Sequence, residues 1–149
     1  MTNRMNITRV RTIAAFSLAL IATASLASCS SNSGDSDSSS KPASLAGTWK
    51  QSNSHSSSDY QEAKISGHNI EIDWVTDNGD TKSLYWAGSY TLPTAAGDFS
   101  WVSKNDTAKT ANALLASSDA TKKFIYSAGV ISYSVSAVGT TSTVKLAKK

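Results

Sequence analysis

Ile70-Glu71-Ile72-Asp73-Trp74-Val75, then Thr76-Asp77-Asn78-Gly79-Asp80, then residues 82–92: this stretch decides the fold class. Ile70, Ile72 and Trp74 alternate with Glu71 and Asp73, the two-residue period of a strand with one buried and one wet face. The Asn78-Gly79 pair is a strong hairpin signal, because both residue types tolerate positive φ. Residues 82–92 then place Leu84, Trp86, Gly88, Tyr90 and Leu92 on one face, and Pro93 ends the run.

The same reading extends in both directions. Residues 45–51 open the folded part, with Leu45, Gly47 and Trp49 on one parity, and 60–65 form a weaker strand before the turn Ser66-Gly67-His68-Asn69. Later strands are expected at 98–103, 122–127, 130–138 and 143–148, separated by turns at Ala128-Gly129 and at 139–142. Residues 107–116 are the one helix candidate, with Asp106 or Thr107 to cap it and Ala108, Ala111, Leu114 and Leu115 on one stripe. The expected fold class is mainly β. It is a small antiparallel meander with one short helix, closing as a barrel or as a β-sandwich.

The opening Gly47-Thr48-Trp49 is similar to the Gly-x-Trp on the first strand of lipocalin-like barrels. That resemblance implies a lipocalin-like barrel whose closed end is plugged by the tryptophan. Here strands follow the helix, whereas in lipocalins the helix follows the barrel strands.

The N-terminal part carries an address. Arg4, Arg9 and Arg11 precede an apolar run over 13–26, too short for the roughly 20 residues of a membrane span and suited to a signal peptide. The run closes on Leu26-Ala27-Ser28-Cys29, which resembles the lipobox of bacterial lipoproteins. The resemblance implies a diacylglyceryl lipid on Cys29, the only cysteine, and cleavage between Ser28 and Cys29. Two acyl chains hold a protein stably at a bilayer where one does not. Residues 1–28 are then the signal peptide, 29–44 a lipidated cysteine with a serine-rich tether, and 45–149 the β-domain. At 5–6 Å per square root of residue number, such a tether spans roughly 20 Å. The expected location is the outer face of the plasma membrane, or the outer membrane in a cell that has two.

The net charge of +3 comes wholly from the three arginines of the signal, because eleven lysines balance eleven Asp and Glu. A basic footprint for nucleic acid is therefore absent, and no run of lysines marks a polybasic membrane patch.

Trp49, Trp74, Trp86 and Trp101 each share parity with the apolar residues of their strands, which suits core packing and, inside a barrel, a ligand-facing wall. Tyr85 falls on the opposite face from Trp86 and is a candidate surface contact, exposed or covered by the helix. His55 and His68 stand alone at loop positions, so neither supports a metal site. Asp77, Asn78 and Asp80 suit a turn and lack the twelve-residue pattern of an EF-hand loop. No Gly-x-Ser-x-Gly occurs, and Glu71 and Asp73 read as charges on an outer strand face.

The mature region also resembles a group of small lipoproteins from actinobacteria and their prophages. Ile72-Asp73-Trp74-Val75, Leu84-Tyr85-Trp86-Ala87-Gly88, Ser103-Lys104-Asn105-Asp106 and Ala113-Leu114-Leu115-Ala116-Ser117 carry the resemblance. The expectation is a surface binding module without enzymatic activity and without a cofactor beyond the lipid. Its partner is an envelope or phage protein or an apolar small molecule. The resemblance implies a second reading, a superinfection-exclusion lipoprotein that blocks phage DNA injection. An envelope hydrolase is third.

Overall fold

The computed structural model describes residues 41–137 and 139–149. Cys29, the signal segment and nearly all of the tether lie outside the described residues. The strands are β1 (Gly47–Gln51), β2 (Tyr60–Ser66), β3 (Asn69–Thr76), β4 (Thr81–Ser89), β5 (Phe99–Asn105), β6 (Thr121–Ser127), β7 (Val130–Ala137) and β8 (Thr140–Lys148). They form one closed antiparallel barrel in chain order. Closure comes from β1 against β8, with Trp49 opposite Lys148 and Gln51 opposite Leu146. Of the two closures open to the sequence, the barrel is the one adopted, with the up-and-down order of lipocalin-like folds.

Alternation drives the packing. Trp49 on β1, Ile70 and Ile72 on β3, Trp86 on β4, Phe124 on β6, Ile131 on β7 and Leu146 on β8 all point inward and are buried. Aromatic rings fill the space between them: Trp101 stacks on Phe124 at 5.2 Å, and Phe124 meets Tyr133 at 5.1 Å. Because strand direction alternates, one rim holds the chain entry before β1, the β2–β3 and β6–β7 turns and the chain end. The opposite rim holds the 52–59 loop, the turn at Asp77–Gly79 and the 106–120 loop. Trp49 closes the entry end. Its indole N–H donates to the Leu45 carbonyl at 2.7 Å, and its ring meets Tyr126 edge-on at 6.4 Å.

Three local expectations change. First, the helix is a single turn, α1 (Thr107–Thr110), with Asp106 at its N-cap making no side-chain cap bond. Beyond it the chain tightens into three-residue turns, Ala113 N–H to Thr110 O and Ala116 N–H to Ala113 O, before Ser117 N–H bonds the Tyr85 carbonyl. That return to β4 stops the helix, and Leu114 is left 97% exposed.

Second, β4 ends at Ser89 and not at residue 92; beyond it only the Tyr90 N–H continues the pairing with the β3 side, donating to the His68 carbonyl. Only Gly88 with Asn105 and Ser89 with Lys104 pair β4 to β5.

Third, Tyr85 is not a surface residue. β3 pairs Ile72 with Trp86 and Asp73 with Leu84, so Tyr85 is the extra residue of a bulge. The bulge breaks the alternation that placed Tyr85 outside. The side chain is 5% exposed and sits against Trp74 and Tyr133, at 5.4 and 6.3 Å between ring centroids.

Candidate functional site

The tryptophans separate by depth. Trp49, Trp86 and Trp101 are buried members of the core and do not line the cavity that Trp74 lines, so the four share no cup there. Trp74 is half-buried at the rim opposite the chain entry and lines a cavity of about 500 Å³ there. Val135 of β7 and Val144 of β8 supply its other apolar wall, and Gln51, Asn53, Asp59, Thr140, Ser142 and Thr143 supply a polar one.

The polar wall is braced from within. The Asn53 side chain donates to the Thr143 carbonyl at 2.8 Å and accepts from the Lys145 N–H at 3.0 Å, which fastens the 52–59 loop to β8. Gln51 Oε1 accepts the Gln61 backbone N–H at 2.9 Å. Asp59 accepts from the hydroxyls of Ser56 and Ser58 at 2.7 and 2.8 Å. These bonds, Ser56 first, hold its carboxyl below the usual range. The serine-rich loop is thus organised around one carboxylate. His55 lines the same mouth, and Tyr60 beside it carries the Lys50 ammonium 3.8 Å over its ring.

Across the strand ladders from Trp74 and Val144 lies a buried polar pair, Gln61 and Tyr133, that sequence reading passed over. Gln61 is 0% exposed, and its Oε1 accepts from the Tyr133 hydroxyl. Burial, and then the neighbouring Tyr85, raise the Tyr133 phenol well above its ordinary range. The other half of the Gln61 amide, Nε2, has no partner.

A second inward polar residue is Lys122 on β6. Its side chain is 5% exposed, and its ammonium lies 2.9 Å from Asp119 and 5.2 Å from the ring centroids of Tyr85 and Trp86. The hydrogen bond from Lys122, and then that from Ser117, lower the Asp119 pKa. A carboxylate with a lowered folded pKa stabilises the fold above the unfolded value of about 4 and loses that contribution as pH falls through the folded one. Asp119 faces solvent, so Asp119→Asn is expected to cost only about 1 kcal/mol at pH 7. Urea midpoints between pH 7 and 2.5 check this: the difference between the two proteins should vanish at the acid end. A constant difference would mean that the pair is not its source.

Sequence parity contained a signal for both residues. Gln61 alternates with Ala63 and Ile65, and Lys122 with Phe124, so each sits on an inward position.

Two other depressions have different characters. One of about 590 Å³ lies on the outer wall among Lys64, Glu71, Lys104, Asp106 and Lys109, where Lys109 and Glu71 already pair at 2.7 Å. Asp73 shares this acidic strand face with Glu71. Burial and then Glu71 raise its pKa. The other, of about 300 Å³, lies at the entry end between residues 41–46 and Tyr90, Leu92 and Pro93. Among the described residues no three His, Cys, Asp or Glu side chains gather as a metal site.

No known protein family, curated protein or solved structure matches this chain.

Proposed function

We propose that the protein is a lipid-anchored surface lipoprotein that binds a small molecule in the mouth of its barrel. The mouth carries this reading, with an aromatic and two valines on one side and braced amides, hydroxyls and a carboxylate on the other. This mixture of apolar wall and few placed polar groups is usual for small-molecule sites.

The test is a small-molecule fragment screen by saturation-transfer NMR on the full chain in lipid nanodiscs, with Trp74→Leu as control. Fragments that bind the native protein and lose about tenfold or more with the variant support the reading. If no fragment depends on Trp74, it falls. Cys29→Ser is expected to move the protein out of the membrane fraction, and unchanged membrane retention of the variant would remove the anchor.

The exclusion reading, a lipoprotein that contacts a phage protein, draws on Leu114 and Leu115, both exposed beyond α1. A protein-contact surface there requires no Trp74-dependent ligand, so the same screen separates the two.

A further inference from the structure

The fixed charges at the mouth share one sign. Asp59 is the one carboxylate that lines the cavity, and no lysine or arginine lines it. The turn beside it adds Asp77 and Asp80 to the same rim. The lysines of the adjoining strands lie on the outer wall. Lys82 pairs there with Glu62 at 2.7 Å, Lys50 sits 3.8 Å over the Tyr60 ring, and Lys145 is exposed between inward Val144 and Leu146. A concave site ringed by one sign of charge concentrates ligands of the other sign.

Asp59 and the apolar wall stand within reach of one small ligand. Tyr60 lies opposite Val75 in the β2–β3 register, so Asp59, just before it, falls diagonally across from Trp74. Such diagonal positions are about 7–8 Å apart. Both serine hydroxyls that hold the carboxylate donate to its Oδ2, and Oδ1 has no serine partner. Val135 lies opposite Ser142, one step diagonally from Val144, so the two valines form one apolar patch on β7 and β8. An indole face attracts a cation, and the valines suit alkyl groups. A neutral apolar ligand would desolvate Asp59 without replacing its water, and an anion would be repelled.

We propose that the mouth takes a small alkyl-substituted ammonium cation, its methyl groups against Trp74, Val135 and Val144 and its charge balanced by Asp59. This rests on the small-ligand reading of the mouth and names its ligand class.

The experiment is an NMR titration of the full chain in maltoside micelles with choline and with its neutral isostere, the alcohol that carries a tert-butyl group in place of trimethylammonium. The two probes have the same shape and differ in charge. Choline is expected to bind about tenfold tighter, the worth of one cation–aromatic contact beside a carboxylate. Raising the ionic strength should narrow the difference. Asp59→Asn should remove most of the preference while leaving the isostere's affinity unchanged, and Trp74→Leu should weaken both probes. Equal affinity for the two probes in the native protein would overturn the proposal, and this comparison needs no variant. A preference undiminished by Asp59→Asn would overturn it too. If neither probe binds while other fragments still dock against Trp74, the cation assignment fails and the small-ligand reading stands. If nothing docks there, both fail.

Discussion

Trp86→Ala is expected to cost about 3–5 kcal/mol, the range for truncating a fully buried large aromatic. Trp86 is 0% exposed, packs opposite Ile72 and donates its indole N–H to the Ser103 hydroxyl at 3.1 Å. Truncation opens a cavity beneath the Lys122 ammonium and leaves buried Ser103 without this donor. A domain of this size is worth about 5–15 kcal/mol in all, so the variant should be barely folded at room temperature. Urea unfolding followed by near-ultraviolet dichroism measures the loss. Trp74→Leu is the internal comparison and should cost about 1 kcal/mol, because Trp74 is half-exposed. A Trp86→Ala loss as small as that of Trp74→Leu would mean that the indole is not a core member.

Gly88→Ala is expected to cost about 2–3 kcal/mol, although it adds only one methyl. A Cβ at this position would stand 2.5 Å from the Lys104 carbonyl oxygen and 2.9 Å from the Trp86 indole nitrogen. It would also collide with the Ser103 hydroxyl. The carbonyl is main chain of β5 at one of the two residue pairs that join β4 to β5, so it cannot yield without parting the strands. Overpacking of this kind costs about 1–3 kcal/mol, and loss of the Trp86–Ser103 bond adds to it. Ser89→Ala, one residue on and exposed, should stay within about 0.5 kcal/mol. If Gly88→Ala shifted the urea midpoint no more than Ser89→Ala, the close approach would not be a constraint.

Most of the barrel was readable because a half-buried strand writes its two faces into the sequence. Ile70 and Ile72 against Glu71 and Asp73 is the clearest instance, and Asn78-Gly79 is placed in the turn that the pair requires. Asp77 and Asn78 both have positive φ there, which these residue types tolerate. Parity fails where the ladder slips, and Tyr85 is that case: nothing in Leu84-Tyr85-Trp86 announces the bulge. The 107–116 segment failed for another reason. Its helical stripe is real in sequence, but a hydrogen bond from Ser117 back to β4 limits it to one turn. The mouth was legible only in part. Trp74 was named, yet its difference from the other tryptophans is a matter of height in the barrel. Height depends on the shear between strands, which side-chain alternation does not record.

The pairing of β4 with β5 through two residue pairs has a mechanical meaning. Val130 to Ala137 lie against Ala147 to Thr140 along their full length, and Tyr60 to Ser66 lie against Val75 to Asn69 in the same way. β1 also lies against β8 along its whole length, because Ser52 N–H to the Lys145 carbonyl and Lys149 N–H to the Thr48 carbonyl extend the pairing of Trp49 to Gln51 at both ends. The ring is therefore a single curtain, running from β5 through β8 and β1 to β4, with one short hem where its two edges meet. A hem of so few bonds opens at low cost, so amide exchange at Ser89, whose N–H faces β5, should outpace that at Ile131 and Tyr133 as the ring breathes open.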